Sequence, residues 1–131
     1  MQEIGAGPNY RAAIDAGKNR VYFWCFGDVL NVAGVAGIAD DAKTACGLMK
    51  SGFTVLVDFT GIKLFGVPDV LQKVQATVLD AGFRKIASVW TEDNFAKFVV
   101  DSSAHKLKDR GYEDRRGVFK DRAEAEAWLD K

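Results

Sequence analysis

Three short apolar runs, Arg20–Phe26, Phe53–Phe59 and Lys85–Trp90, are each followed by residues whose apolar members recur at helical spacing. This alternation constrains the fold more than any other feature of the chain. The first run carries bulky groups on both faces, with Tyr22, Trp24 and Phe26 on one and Val21, Phe23 and Cys25 on the other. A strand of that kind belongs in the middle of a sheet covered on two sides. After Gly27-Asp28, the residues Val32, Val35, Ala39, Ala42, Cys46 and Met49 define one face of a helix, with Asn31 as its N-cap and Gly52 as its stop. Strands separated by helices of this length pair in parallel through crossovers, and right-handed crossovers lay the helices over the sheet.

The remaining segments fit the same plan. Met1–Pro8 holds Gly5, Gly7 and Pro8 and is expected to be loosely ordered. Tyr10–Ala16 reads as a first strand and Ala16–Asn19 as a turn. Thr60–Gly66 reads as an unusually apolar loop, and Pro68 opens a second helix along Val67, Val70, Val74, Val78 and Ala81, ended by Gly82. Thr91 is placed to cap a third helix, with Glu92 and Asp93 in its first turn; Phe95, Phe98, Val99 and Ser102 share a face, and Gly111 stops it. An edge strand lies within Tyr112–Phe119. Asp121 and Glu124 then have capping-box spacing before Ala125, Trp128 and Leu129. The order ββαβαβαβα predicts a single α/β domain over residues 1–131. Its sheet is mostly parallel and four- or five-stranded, with an antiparallel N-terminal strand and about four helices.

Composition narrows the function. The chain has 131 residues, with 18 Lys and Arg against 18 Asp and Glu, so its formal charge is zero and the electrostatic case for a nucleic-acid partner is lost. No run approaches the ~18–20 apolar residues of a membrane span, and Met1–Arg11 lacks an apolar signal core, so a cytoplasmic protein is expected. Cys25 and Cys46 have no zinc spacing and read as small hydrophobes. His105 is the single histidine and there is no GxSxG elbow, so no catalytic residue is assigned. Asp40-Asp41 and Glu113-Asp114 are adjacent carboxylates rather than a ligand set, and Gly5-Ala-Gly7 has no strand before it; neither a metal nor a cofactor is expected. Lys106, Lys108, Arg110, Arg115 and Arg116, interleaved with acids, read as an ordinary charged surface rather than a lipid-binding patch. Gly34 and Gly37 read as close packing of the first helix beneath Trp24 and Phe26. Their functional alternative is a neutral, loosely held Val29–Ala39 segment that moves aside for an apolar ligand.

Gly27-Asp28-Val29 ends a strand just before the first helix. The stretch Thr54-Val-Leu-Val-Asp-Phe-Thr-Gly-Ile-Lys-Leu-Phe65 resembles the strand-and-loop signature of STAS domains, and Val118–Leu129 resembles the closing segment of SpoIIAA-like proteins. The resemblance covers roughly residues 10–130. It implies a β-α superhelix used for protein interaction, no enzymatic activity, and kinship with CRAL-TRIO-type binders of lipids and other apolar ligands. One position departs from it: Val67 stands where STAS anti-anti-sigma factors carry a phosphorylated serine, and Thr60 is the nearest hydroxyl. A kinase-driven partner switch at that turn has no acceptor.

In a parallel sheet, ligands and partners approach the C-terminal ends of the strands. The candidate binding residues are therefore Asp28, Asp58, Thr60, Ile62, Leu64, Phe65 and Trp90. Ile62, Leu64 and Phe65 either pack on a neighbouring helix or form a contact patch. A pocket among them would be apolar, with Asp58 and Thr60 as its polar fixtures. The expected function is a non-enzymatic regulatory or interaction domain that binds a protein partner or itself; the alternative is a carrier of an apolar ligand or lipid, with a membrane surface as a further possible partner.

Overall fold

The computed structural model describes residues 1–92 and 94–131. In chain order the elements are β1 (Gln2–Gly7), β2 (Tyr10–Asp15), β3 (Arg20–Cys25), β4 (Gly27–Val29), α1 (Ile38–Gly47), β5 (Thr54–Asp58), β6 (Ile62–Phe65), α2 (Pro68–Asp80), β7 (Lys85–Val89), α3 (Phe95–His105), β8 (Arg116–Phe119) and α4 (Arg122–Asp130). The main sheet has the order β1-β2-β3-β5-β7-β8, and β4 and β6 form a second, two-stranded sheet. Strands β3, β5, β7 and β8 are parallel neighbours, whereas β1–β2 and β2–β3 are antiparallel. The α/β architecture with a mostly parallel sheet and four α-helices is as expected. The sheet has six strands rather than four or five, because Met1–Pro8 is no loose tail: Gln2–Gly7 pairs along β2 as an edge strand.

The two faces of β3 are both buried, as its bulky alternation requires. Phe23 and Cys25 join Val55, Phe59 and Ile86 in the larger core, under α1, α2 and α3. Tyr22 joins Leu56, Ala87, Ala125 and Leu129 in a smaller core, under α4. Trp24 belongs to the α4 side, held between the guanidinium groups of Arg11, 5.0 Å away, and Arg122, 5.4 Å away. It therefore does not lie beneath the first helix. Gly34 is instead small because any Cβ there would run into the Asn9 side chain.

An ion-pair network ties the last helix to β3. Arg20, only 2% exposed, donates from Nε to Thr54 Oγ1 (2.8 Å), from Nη1 to Glu126 Oε1 (2.6 Å) and from Nη2 to Asp130 Oδ1 (2.7 Å). Tyr22 adds a hydroxyl donation to the same Glu126 oxygen at 2.8 Å.

Four local expectations change. The first helix is not continuous from Val32 to Met49. Asn31 caps a 3₁₀ turn at Val32–Val35, the chain then breaks at Ala36 and Gly37, and α1 begins at Ile38. Gly37 has φ +88°, a conformation that a β-carbon disfavours. The apolar loop after Thr60 is largely strand β6, paired in parallel with β4. Asn94, not Thr91, caps α3, its side chain accepting from the Lys97 amide at 3.0 Å; Asp93 lies outside the described residues. Finally, α3 buries Ala96, Val100, Ser103 and Ala104, so the face that carries Phe95 and Phe98 points outward. Small residues at i, i+4 and i+8 let this helix sit close to its neighbours, and this outweighs the larger hydrophobes. No helix among the described residues is long and apolar enough to cross a membrane.

Candidate functional site

The C-terminal rim of the parallel strands is built by the small β4/β6 sheet. Gly27, at φ +75°, turns the chain out of β3, and its amide donates to Gly61 O at 3.2 Å. Gly66 N donates to Val29 O at 2.8 Å and closes the other end of the pair. The Asn94 side chain donates to Ile62 O at 3.1 Å, which pins the start of α3 against β6.

The seven residues expected at the site divide by environment. Ile62, Phe65 and Trp90 are core residues. Ile62 and Phe65 are therefore not a contact patch: both are buried, although regular alternation would put residues three apart on opposite faces, and the register shift between Gly27 and Asp28 in the β4/β6 pair interrupts that alternation. Leu64 is half-buried, and Asp28 and Thr60 are exposed. Asp58 is half-buried and accepts from the Thr60 amide at 2.8 Å, a loop-capping role. Trp90 stacks on Phe59 with ring centroids 4.3 Å apart, and its indole Nε1 is buried without a hydrogen-bond partner.

Four of the exposed large hydrophobic residues lie on segments beside these residues; Met1, Leu48 and Val118 are exposed as well. Leu30 (66% exposed) and Val32 (57%) follow β4, and Phe95 (64%) and Phe98 (65%) project from α3, which packs on β6. The two phenyl rings stack with centroids 6.0 Å apart. These four exposed apolar side chains lie on the segments that adjoin the two strands of this small sheet. Sequence reasoning placed Phe95 and Phe98 on a common face but could not show which way that face points.

Beneath the rim, a cavity of about 40 Å³ lies in the larger core. Phe65 and Phe59 line it, but its polar members are Gln75, Ser88, Tyr112 and Arg116, not Asp58 and Thr60. A more open surface groove of about 210 Å³ runs between the Val32–Asp40 segment and α2. Val70 lines both spaces.

The electrostatics of the region are closed. Arg116 donates to Asp101 at 2.8 Å and to Glu113 at 3.0 Å. Burial opposes its charge, but these carboxylates outweigh it and hold the guanidinium protonated. Burial, with a smaller contribution from Asp58, pushes the Cys25 thiol up to about 12. Of the five basic residues weighed above, Arg110 pairs with Asp80, Arg115 donates to the Gly111 and Phe83 carbonyls, and Arg116 is held as described. Among the described residues no cluster of three or more His, Cys, Asp or Glu side chains is placed to hold a metal ion.

Comparison with protein-family models, curated proteins and solved structures finds no match for this chain.

Proposed function

We propose that this chain is a non-enzymatic, STAS/SpoIIAA-like regulatory domain of the cytoplasm that works by pairing with a second copy of itself through the strand-end rim. The observation that carries this reading is the set of four exposed apolar side chains, Leu30, Val32, Phe95 and Phe98, flanking the β4/β6 sheet. A formal charge of zero favours a second copy as occupant, since two copies meet without net repulsion. Each side chain contributes about 1.5–3 kcal/mol if fully desolvated, and association costs about 4–15 kcal/mol. Regulation by phosphorylation at the second helix has no acceptor in Val67. In sedimentation velocity, the wild type is expected to gain mass with concentration, and the Phe95→Ser/Phe98→Ser variant to stay monomeric. A wild type that remains monomeric throughout contradicts self-pairing.

The cavity favours a second reading, carriage of an apolar ligand that enters past Val70. Its volume of about 40 Å³ lies well below the ~300–1,000 Å³ typical of sites for drug-sized ligands, so a lipid does not fit without displacement of α2.

A further inference from the structure

The cavity behind Phe65 differs from the rest of the core: polar side chains from three separate segments meet at it. Gln75 comes from α2, Ser88 from β7 and Tyr112 from the segment before β8, and all three are buried. Among the described residues, the single side-chain hydrogen bond made by these three is the one Gln75 Oε1 accepts from Ser103 Oγ, at 2.6 Å. Trp90 Nε1 is the one fully enclosed side-chain polar atom without a partner among the described residues, so the Ser88 and Tyr112 hydroxyls, which make no hydrogen bond among those residues, border open space that a ligand or water can fill.

The rest of the lining selects the kind of partner. It is mostly apolar, with Phe23, Val57 and Phe59 prominent. Arg116 is its one charged residue, and Asp101 and Glu113 already neutralise it. An ionised ligand would give up its hydration and meet no free countercharge. The volume, about 40 Å³, matches roughly three water-sized molecules at ~10–15 Å³ each. Burial keeps the Tyr112 phenol protonated, so it stays a hydrogen-bond donor.

We infer that this cavity is a binding site for a small neutral molecule carrying one hydrogen-bonding group on an apolar body, such as a short-chain alcohol or ketone, held by Ser88 and Tyr112. The inference rests on the ligand-carrying reading and narrows it in size and chemical class. Val70, shared with the surface groove, marks the way in.

The test is a methyl-NMR titration with two probes, xenon as a purely apolar atom and 1-propanol as a polar-ended one. It uses the wild type, Tyr112→Phe and Ser88→Ala. Tyr112→Phe removes one oxygen from a ring that otherwise keeps its packing, and Ser88→Ala provides an independent variant. The expected result is saturable binding of 1-propanol at the Ile38 and Val70 methyls, weakened about tenfold by either substitution, with xenon binding unchanged. If xenon binds but 1-propanol does not, or binds all three proteins equally, the hydrogen-bonding site is overturned and an apolar cavity remains. If neither probe binds, the ligand-carrying reading falls as well.

Discussion

Arg20 and Glu126 meet at 2.6 Å although 106 positions separate them in the chain. The contact joins the start of β3 to α4, and Arg20 is almost wholly inside while Glu126 is partly exposed. Replacing Arg20 by alanine strips Glu126, Asp130 and Thr54 of one shared partner. A fully buried broken pair costs about 3–5 kcal/mol, and the solvent at Glu126 lowers this to about 2–3 kcal/mol. Urea denaturation of Arg20→Ala measures it.

The same network gives stability a pH dependence. Burial works against the charge of Glu126, but hydrogen bonds from Tyr22 and Arg20 outweigh it, and its carboxyl lies below the usual range. The hydrogen bond from Arg20 lowers Asp130 too. A depressed folded-state pKa stabilises the fold above the unfolded carboxylate pKa of about 4, and that contribution is lost as pH falls through the folded value. Glu126→Gln should therefore be less stable than wild type at neutral pH, and the gap should close on acidification below about pH 4. A constant gap in thermal melts across that range would exclude the linkage.

Gly37 separates the 3₁₀ turn from α1 at φ +88°. A helix-propensity argument alone would have alanine stabilise the segment. The observed backbone predicts the opposite, a loss of about 1–2 kcal/mol in Gly37→Ala. A stabilised variant would mean that the two pieces can join as one helix.

Phe65 and Phe98 test which phenylalanines are structural. Phe65 is core and Phe98 is exposed. Phe65→Ala is expected to cost about 3–5 kcal/mol, and Phe98→Ala to stay within about 0.5 kcal/mol of wild type. Paired denaturant curves decide it.

Burial pushes the Cys46 thiol up to about 11, and Cys25 lies higher still. Neither offers a thiolate at neutral pH. A disulfide reagent should leave both unlabelled in the native protein and titrate both after unfolding.

Where one physical signal decided structure, the sequence was readable. The two-sided apolar run at Arg20–Phe26 and the helical stripes around it placed the central strands and the order of helices. Pro68 starts α2 and Gly82 follows its end, both as expected. Where long-range pairing decided structure, it was not. Gln2–Gly7 looks like a turn-rich tail, and only pairing with β2 makes it a strand. Ile62–Phe65 is extended because β4 lies alongside. The outward turn of Phe95 and Phe98 depends on which α3 face fits against β6 and α2, a matter of shape that hydrophobic spacing does not record. Strand-end logic named residues at the C-terminal rim of the parallel strands, which the β4/β6 sheet builds. It left Ile62 and Phe65 open between packing and contact, and their burial decides for packing; the exposed Leu30 and Val32 were not among the residues it named. Arg20 gave no signal, since its partners lie at the far end of the chain.

Self-pairing through the strand-end rim is decided by where two copies touch. Backbone amide shifts followed by NMR on dilution from millimolar to micromolar concentration locate that surface directly. The predicted result is concentration-dependent shifts confined to residues around Leu30–Val32, the β4/β6 sheet and Phe95–Phe98, and their disappearance in the Phe95→Ser/Phe98→Ser protein. Shifts centred elsewhere, such as on the β1 edge, or spectra that do not change with concentration, would contradict recognition at this rim.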